Sequence, residues 1–173
     1  MRPFLRDEPE NLELMACEVE ALRRDIAEAR DRQDEAGLLA ALGRAGDLCR
    51  MLGELDQAIG TLEEAVGLAR SEEDEPRLVA NLIRMGTAFQ YADDHGDAER
   101  FLREALALAE SGGHRAYEGF ACQHLGKCLA EMARYDEARA LFDRALAIRK
   151  AAGDRKLVAS TQRALDALQT GVD

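Results

Sequence analysis

The sequence predicts an all-α solenoid of antiparallel helix pairs, and three observations predict it. Small and apolar residues recur at helical spacing, as in "GDAERFLREALALAE", where Ala98, Leu102, Ala105, Leu106 and Ala109 form one stripe. The stripe returns every 40 residues: Ala58, Leu62, Ala65, Val66 and Ala69 precede it, and Ala138, Phe142, Ala145, Leu146 and Arg149 follow. The upstream halves agree too, with Leu42, Gly46 and Cys49, then Leu82, Gly86 and Phe89, then Cys122, Gly126 and Leu129. Between helices, Asp34, Asp74, His114 and Asp154 share one column, and Asp is a natural N-cap. Self-similarity at such a period is the mark of a stacked repeat. Alanine on a buried stripe lets a neighbouring backbone come close.

The elements follow in order. A first helix is expected from about Pro9 to Arg32, forming an N-terminal cap over residues 9–33. Its second half, "EARDRQDEAGLL", matches "LARSEEDEPRLV" in a later repeat, so it reads as a half-repeat. Leu12, Met15, Val19, Leu22 and Ile26, spaced 3, 4, 3 and 4, should face the first pair. Three repeats occupy 34–73, 74–113 and 114–153, with helices at about 35–51 and 55–70, 75–91 and 95–110, and 115–131 and 135–151. A last helix near 155–169, in a segment spanning 154–170, covers the exposed end. Pro9 and Pro76 each follow an Asp-Glu pair, a fitting place to open a helix. Glu18 and Asp25 stand where the repeats place alanine, and Asp166 where they place glycine, as expected of capping units. Residues 9–170 are therefore expected to form one complete domain. Residues 1–8 are expected to be a mobile arm, and "TGVD" a frayed tail.

Leucine, glycine four on, alanine twelve after that, Leu or Phe four further and Ala three beyond resembles the tetratricopeptide repeat, over roughly residues 34–170. "AAGDRKLVAS" and "LGKCLAEMARYDEARALFDRALAI" carry the likeness most clearly. The 40-residue period exceeds the common unit and is similar to that of Pins-type polarity adaptors and some bacterial peptide-sensing regulators. Departures exist: Cys49 replaces the usual Tyr near Gly46, and the glycine expected after the first helix survives as Gly53 but becomes Asp93 and Ala133. The resemblance implies a right-handed superhelix whose concave wall is lined by the first helix of each pair. It also implies a protein-binding role without catalysis.

Composition narrows the function classes. Apolar residues make up 47% of the 173, with no Trp and 5% aromatic content, which suits Leu- and Ala-built helix stacks. Net charge is −11, from 23 basic and 34 acidic residues. By segment it runs from −5 over residues 1–40 to +2 over 121–173. Such acidity argues against nucleic acid as a partner, since non-specific binding needs a basic footprint. Nothing resembles a signal peptide or a bilayer span, so no membrane partner and a cytoplasmic location are expected.

No enzyme signature is present. Cys122 and Cys128 are six apart on one helix and so point about 240° apart, no C-x-x-C occurs, and Cys17 and Cys49 are isolated; reduced thiols are expected rather than metal. His95 and His114 fall in expected loops and default to surface roles. "HLGKC" at 124–128 lacks the glycine and hydroxyl of a phosphate-binding loop and lies mid-helix. No cofactor and no metal are expected.

That leaves the groove. Arg44, Arg84 and His124 fill one column beside the glycines, and Asp47, Thr87 and Lys127 the next. An earlier column holds Gly43, Ile83 and Gln123, continued by Arg163, and a later one Met51, Tyr91 and Glu131. In family members resembling chaperone adaptors, Asn, Lys and Arg at such positions clamp a peptide carboxylate. Arg44 and Arg84 match that set, whereas its asparagines are absent. The reading is a peptide- or protein-binding adaptor. Met51, Ile83, Tyr91 and Phe120 supply apolar contact, and Arg44, Arg84, His124 and Lys127 orient an anionic group, His124 with pH dependence. The groove set also includes Asp47, Thr87, Gln123 and Arg163. The alternative is a self-assembling homo-oligomer in which the acidic first helix docks on the basic end of a second copy.

Overall fold

Every turn of the chain ends a helix in the same way. The computed structural model describes residues 3–6 and 11–170. Within them one left-handed residue recurs every 20 positions, at Gln33, Gly53, Glu73, Asp93, Gly113, Ala133 and Gly153. The next residue's N–H then closes onto a carbonyl five back, as in Glu54 to Cys49 at 2.9 Å and Arg134 to Leu129 at 2.9 Å. Glycine is free to adopt that conformation, while each non-glycine there costs about 1 kcal/mol.

These stops leave eight helices and no strand among the described residues: α1 (Leu12–Arg32), α2 (Glu35–Met51), α3 (Leu55–Ser71), α4 (Glu75–Tyr91), α5 (His95–Ser111), α6 (Arg115–Glu131), α7 (Tyr135–Ala152) and α8 (Arg155–Thr170). Asp34, Asp74 and Asp154 cap as expected, accepting from Gly37, Arg77 and Leu157 N–H at 2.9, 3.0 and 3.0 Å. His114 does not cap; its Nε2 meets Glu75 Oε1 at 3.0 Å instead. Pro76 opens α4. Pro9 lies outside the described residues, and Asn11 caps α1.

Consecutive helices pack on one another, and the inner helices also touch: α2 on α4, α4 on α6, α6 on α8. The outer series α1, α3, α5 and α7 makes no such close approach among the described residues. A stack closer on one side than the other is a curved solenoid, with α2, α4, α6 and α8 on its concave wall. The outer helices are linked instead by half-exposed ion pairs, Arg30 to Glu64 at 2.6 Å and Arg70 to Glu104 at 2.7 Å. Each is worth at most about 1 kcal/mol. Apolar burial carries the fold, with Ala58, Leu62, Ala98, Leu102, Ala138 and Phe142 completely enclosed.

The glycine column sets the distance within each pair. A Cβ on Gly46 would lie 2.5 Å from Leu62 Cγ, and one on Gly126 would lie 2.6 Å from Phe142 Cε1. On Gly86 it would lie 2.6 Å from Leu102 Cγ and 3.0 Å from the Ala98 carbonyl oxygen. In the last pair Arg149 replaces the buried alanine of Ala69 and Ala109. Its Nη1 reaches Gln123 Oε1 at 2.9 Å and the Thr161 hydroxyl, so it latches α8 to the stack.

Two expectations are corrected. Leu12 is 54% exposed, although Val19 is buried and Met15, Leu22 and Ile26 pack inward. Counted from their shared turn, α1 has 21 residues against 17 in α2, so its first turn overhangs. Residues 3–6 are not a free arm: Phe4 and Arg6 are tied to α4, α6 and α7 by the contacts described below. The rest of the expected arm (residues 1, 2, 7 and 8) and tail residues 171–173 lie outside the described residues.

The glycine contact is testable. Gly86→Ala should cost about 1–3 kcal/mol by urea denaturation, because a backbone carbonyl must shift. Gly60→Ala, where an added Cβ meets nothing within 4 Å, should be neutral or slightly stabilising. Equal midpoints for the two variants would contradict the packing.

Candidate functional site

A cleft of about 290 Å³ opens on the concave wall where α2, α4 and α6 meet. Six expected residues line it: Asp47, Ile83, Arg84, Thr87, Phe120 and His124. Arg50, Ala80 and Tyr117 join them, and these three were not anticipated. Arg50 follows Asp47 by one helical turn, a spacing at which side chains meet. Its Nε and Nη2 donate to Asp47 Oδ1 at 3.2 and 2.8 Å, and its guanidinium lies 4.6 Å from the Tyr91 ring centre. Its Nη1 is buried and has no hydrogen-bond partner among the described residues. Arg84 Nη1 donates to the neutral Asn81 Oδ1 at 2.9 Å, and Arg84 has no ion pair among the described residues. Gly43 makes room for this arrangement, since a Cβ there would sit 2.4 Å from Asn81 Oδ1.

The cationic column is broken at its first member. Arg44 donates to both carboxylate oxygens of Glu18 on α1, at 2.8 and 3.1 Å, and lines neither the cleft nor its neighbour. Glu18 holds Arg44's pKa up and is itself held down by that hydrogen bond. The signal was in the sequence, because Glu18 replaces the alanine of Ala58, Ala98 and Ala138. Gln123 also leaves the groove: it is buried, bonding Arg149. Met51 lies at the end of α2 outside the cleft.

A second concavity of about 220 Å³ is lined by Lys127 and Arg163 together with Leu5, Arg6 and Ser160. Here the N-terminal segment meets Glu131, whose side chain is completely buried. Arg6 Nε and Nη2 donate to Glu131 Oε1 and Oε2 at 3.0 and 2.8 Å. Nη2 also meets Asp93 Oδ1 at 2.6 Å, Nη1 the Tyr91 carbonyl at 3.3 Å, and Phe4 N–H donates to Glu131 Oε1 at 2.8 Å. His95 Nε2 lies 2.9 Å from Glu131 Oε2, so His95 is not the surface residue expected. Burial alone would raise the Glu131 carboxyl, but bonds from Arg6, the Phe4 N–H and His95 outweigh it and hold it below the usual range. Asp93, His95 and Glu131 bring donor atoms within 4.8 Å of one another, a metal-ligating type of set. Both carboxylates, however, already accept from the Arg6 cation.

His124 Nδ1 lies 3.1 Å from the Thr87 hydroxyl, which donates to the Ile83 carbonyl at 2.8 Å. Burial, followed by the charges of Lys127 and Arg50, lowers its pKa from 6.5 to about 3, against a smaller opposing effect of Asp47. Arg149 adds to the lowering. His124 is therefore neutral at pH 6 and at pH 8, which corrects the expected pH-dependent contact. Between those two pKa values the unfolded chain binds the proton more readily, so stability falls as pH falls from 6.5 toward 3. The urea midpoint should drop less from pH 7 to about pH 4.5 in His124→Gln than in wild type. An equal drop would contradict the neutral, half-buried imidazole.

Two family models described as "Tetratricopeptide repeat" match the chain, over residues 37–111 and 121–156, most of its length between them. Human G-protein-signaling modulator 1 is 32% identical over 104 residues, covering 60% of this chain; the match spans 15% of that protein's length. Among solved structures, BtubC (BKLC) from P. vanneervenii superposes with a TM-score of 0.59 at 16% identity, over 93% of this chain and 90% of that one. That likeness extends to the fold alone. No helix among the described residues is long and apolar enough to cross a membrane. With a 40-residue helix-pair period, a glycine column at each pair contact and inner helices lining a concave wall, the chain belongs to the tetratricopeptide-repeat family.

Proposed function

We propose that this protein is a non-enzymatic adaptor that binds a segment of a partner protein in its concave groove, with an anionic group of that segment held between Arg50 and Arg84. Tetratricopeptide repeats support protein–protein interaction in general. The observations that carry the finer reading are the partnerless Nη1 of Arg50, whose other nitrogens pair with Asp47, and the absence of an ion pair at Arg84 among the described residues. A buried guanidinium nitrogen without a partner is costly, and a carboxylate or phosphate oxygen would satisfy it. Arg84 is committed to a neutral amide oxygen, so it retains charge for a ligand. Ile83, Phe120 and Tyr117 offer apolar contact beside it.

The test is selection of binding peptides from a random library displayed against the protein, followed by titration of the winners. Charge-assisted bonds contribute roughly 1.5–3 kcal/mol each, so Arg84→Ala should weaken binding about tenfold or more. Arg44→Ala should have little effect, because Arg44 is already paired with Glu18. Unchanged affinity in Arg84→Ala would overturn the assignment of the cleft.

A further inference from the structure

We infer that Asp93, Glu131 and the Tyr91 carbonyl form an arginine-recognition pocket at the α4–α6 end of the groove, filled in cis by Phe4–Leu5–Arg6, and that a partner segment bearing aromatic–x–arginine enters by displacing it. This goes beyond the central-cleft reading and does not depend on Arg84.

The pocket is built for a guanidinium. Glu131 offers both oxygens to the Nε and Nη2 of one fork, Asp93 takes a second bond from Nη2, and a carbonyl takes Nη1. The Tyr91 ring lies 5.2 Å from the guanidinium carbon. A lysine ammonium cannot reproduce that planar set. With the segment in place the Glu131 side chain is fully enclosed, and withdrawing Arg6 and the Phe4 N–H removes three of its hydrogen bonds. His95 stays beside Oε2 at 2.9 Å, but the place that Arg6 leaves suits another guanidinium, such as an arginine from a second chain.

Specificity has a second anchor. The Phe4 ring stacks near Phe142, with centroids 6.1 Å apart, and its N–H shares Glu131 Oε1. Leu5 between them contributes little: it is 43% exposed and takes left-handed backbone, φ 48°. That conformation is unfavourable for leucine and persists only because both flanking residues are held. The segment thus has the character of a short bound peptide whose middle position is free to vary. Its tether to α1 keeps its local concentration high, so a competing segment needs contacts elsewhere on the wall. Tyr91 supplies the continuity, since its ring lies near both Arg6 and the Arg50 of the central cleft.

The experiment uses the full chain and a synthetic peptide with the sequence of residues 2–8. Leu5→Trp places one tryptophan in a chain that has none, at a half-exposed position. Adding the peptide should shift its emission saturably toward that of a free tryptophan, whereas the same peptide with Arg6→Glu should not. In a parallel titration, labelled peptide should bind a Phe4→Ser/Arg6→Ser variant at least tenfold tighter than wild type. Adding Glu131→Gln to that variant should abolish binding, and adding Arg84→Ala should not. Circular dichroism confirms that each variant is helical. Should the double variant melt, the Leu5→Trp titration alone decides. An unchanged emission up to millimolar peptide, or peptide binding indifferent to Glu131→Gln, would mean that the segment is only a fixed strap, and would overturn the inference.

Discussion

The close contact of Gly46 with Leu62, Gly86 with Leu102 and Gly126 with Phe142 is the constraint from which the rest of the molecule follows. A side chain at any of these positions would push the two helices of a pair apart. Without one, each pair closes tightly enough to bury its alanine stripe, and the inner helices come into contact along the stack. The outer helices are held by exposed ion pairs that add little. Curvature is thus a packing consequence, and the concave wall is its product. Left-handed stops every 20 residues keep each helix to the length that this contact requires.

The wall so formed carries polar groups that its own repeats do not fully satisfy. Arg50 Nη1 is buried without a partner, and Arg84 is bonded to a neutral amide rather than a carboxylate. Glu131 is satisfied chiefly by Arg6 and Phe4, which come from 125 and 127 residues away in the chain. Cationic and anionic demands are therefore laid out along one surface, with Tyr91 between them. Under the proposed reading, such an arrangement suits a segment carrying charges of both signs.

The fold was legible because its determinants are local and repeated. Caps at Asp34, Asp74 and Asp154, and turns at fixed intervals, place the ends of α2 to α8 to within one residue of the expectation. The glycine column was visible for the same reason. The lining of the cleft was legible only where a residue's position depends on its own helix, as for Asp47, Ile83, Arg84 and Phe120. It failed where a partner from another repeat intervenes. Arg44 was lost to Glu18 on the capping helix, and Gln123 to Arg149, which stands in an alanine column. Glu131 falls in a groove-facing column with Met51 and Tyr91, and nothing in its neighbourhood announces that residues 3–6 fold back over it. A pairing 125 residues apart has no periodic signature. His124 lines the cleft, but its neutrality is not legible in the sequence, since it arises from burial and from Lys127 and Arg50 together.

The central claim is that the chain's own N-terminal segment occupies the groove through a buried, ionised Glu131. Nuclear Overhauser contacts between the Phe4 and Phe142 rings test it most directly, followed as a function of pH. Because the Glu131 pKa is lowered by folding, its contribution is present above about pH 4.5 and is lost as pH falls through the folded value. The groups facing it are Arg6, the Phe4 N–H, His95, Gln90 and, through Arg6, Asp93. The contact should be strong from pH 5 to 8 and weaken only below the usual carboxylate range, as the lowered folded pKa is crossed. Absence of the contact at pH 7, or its survival unchanged to pH 2, would contradict the account.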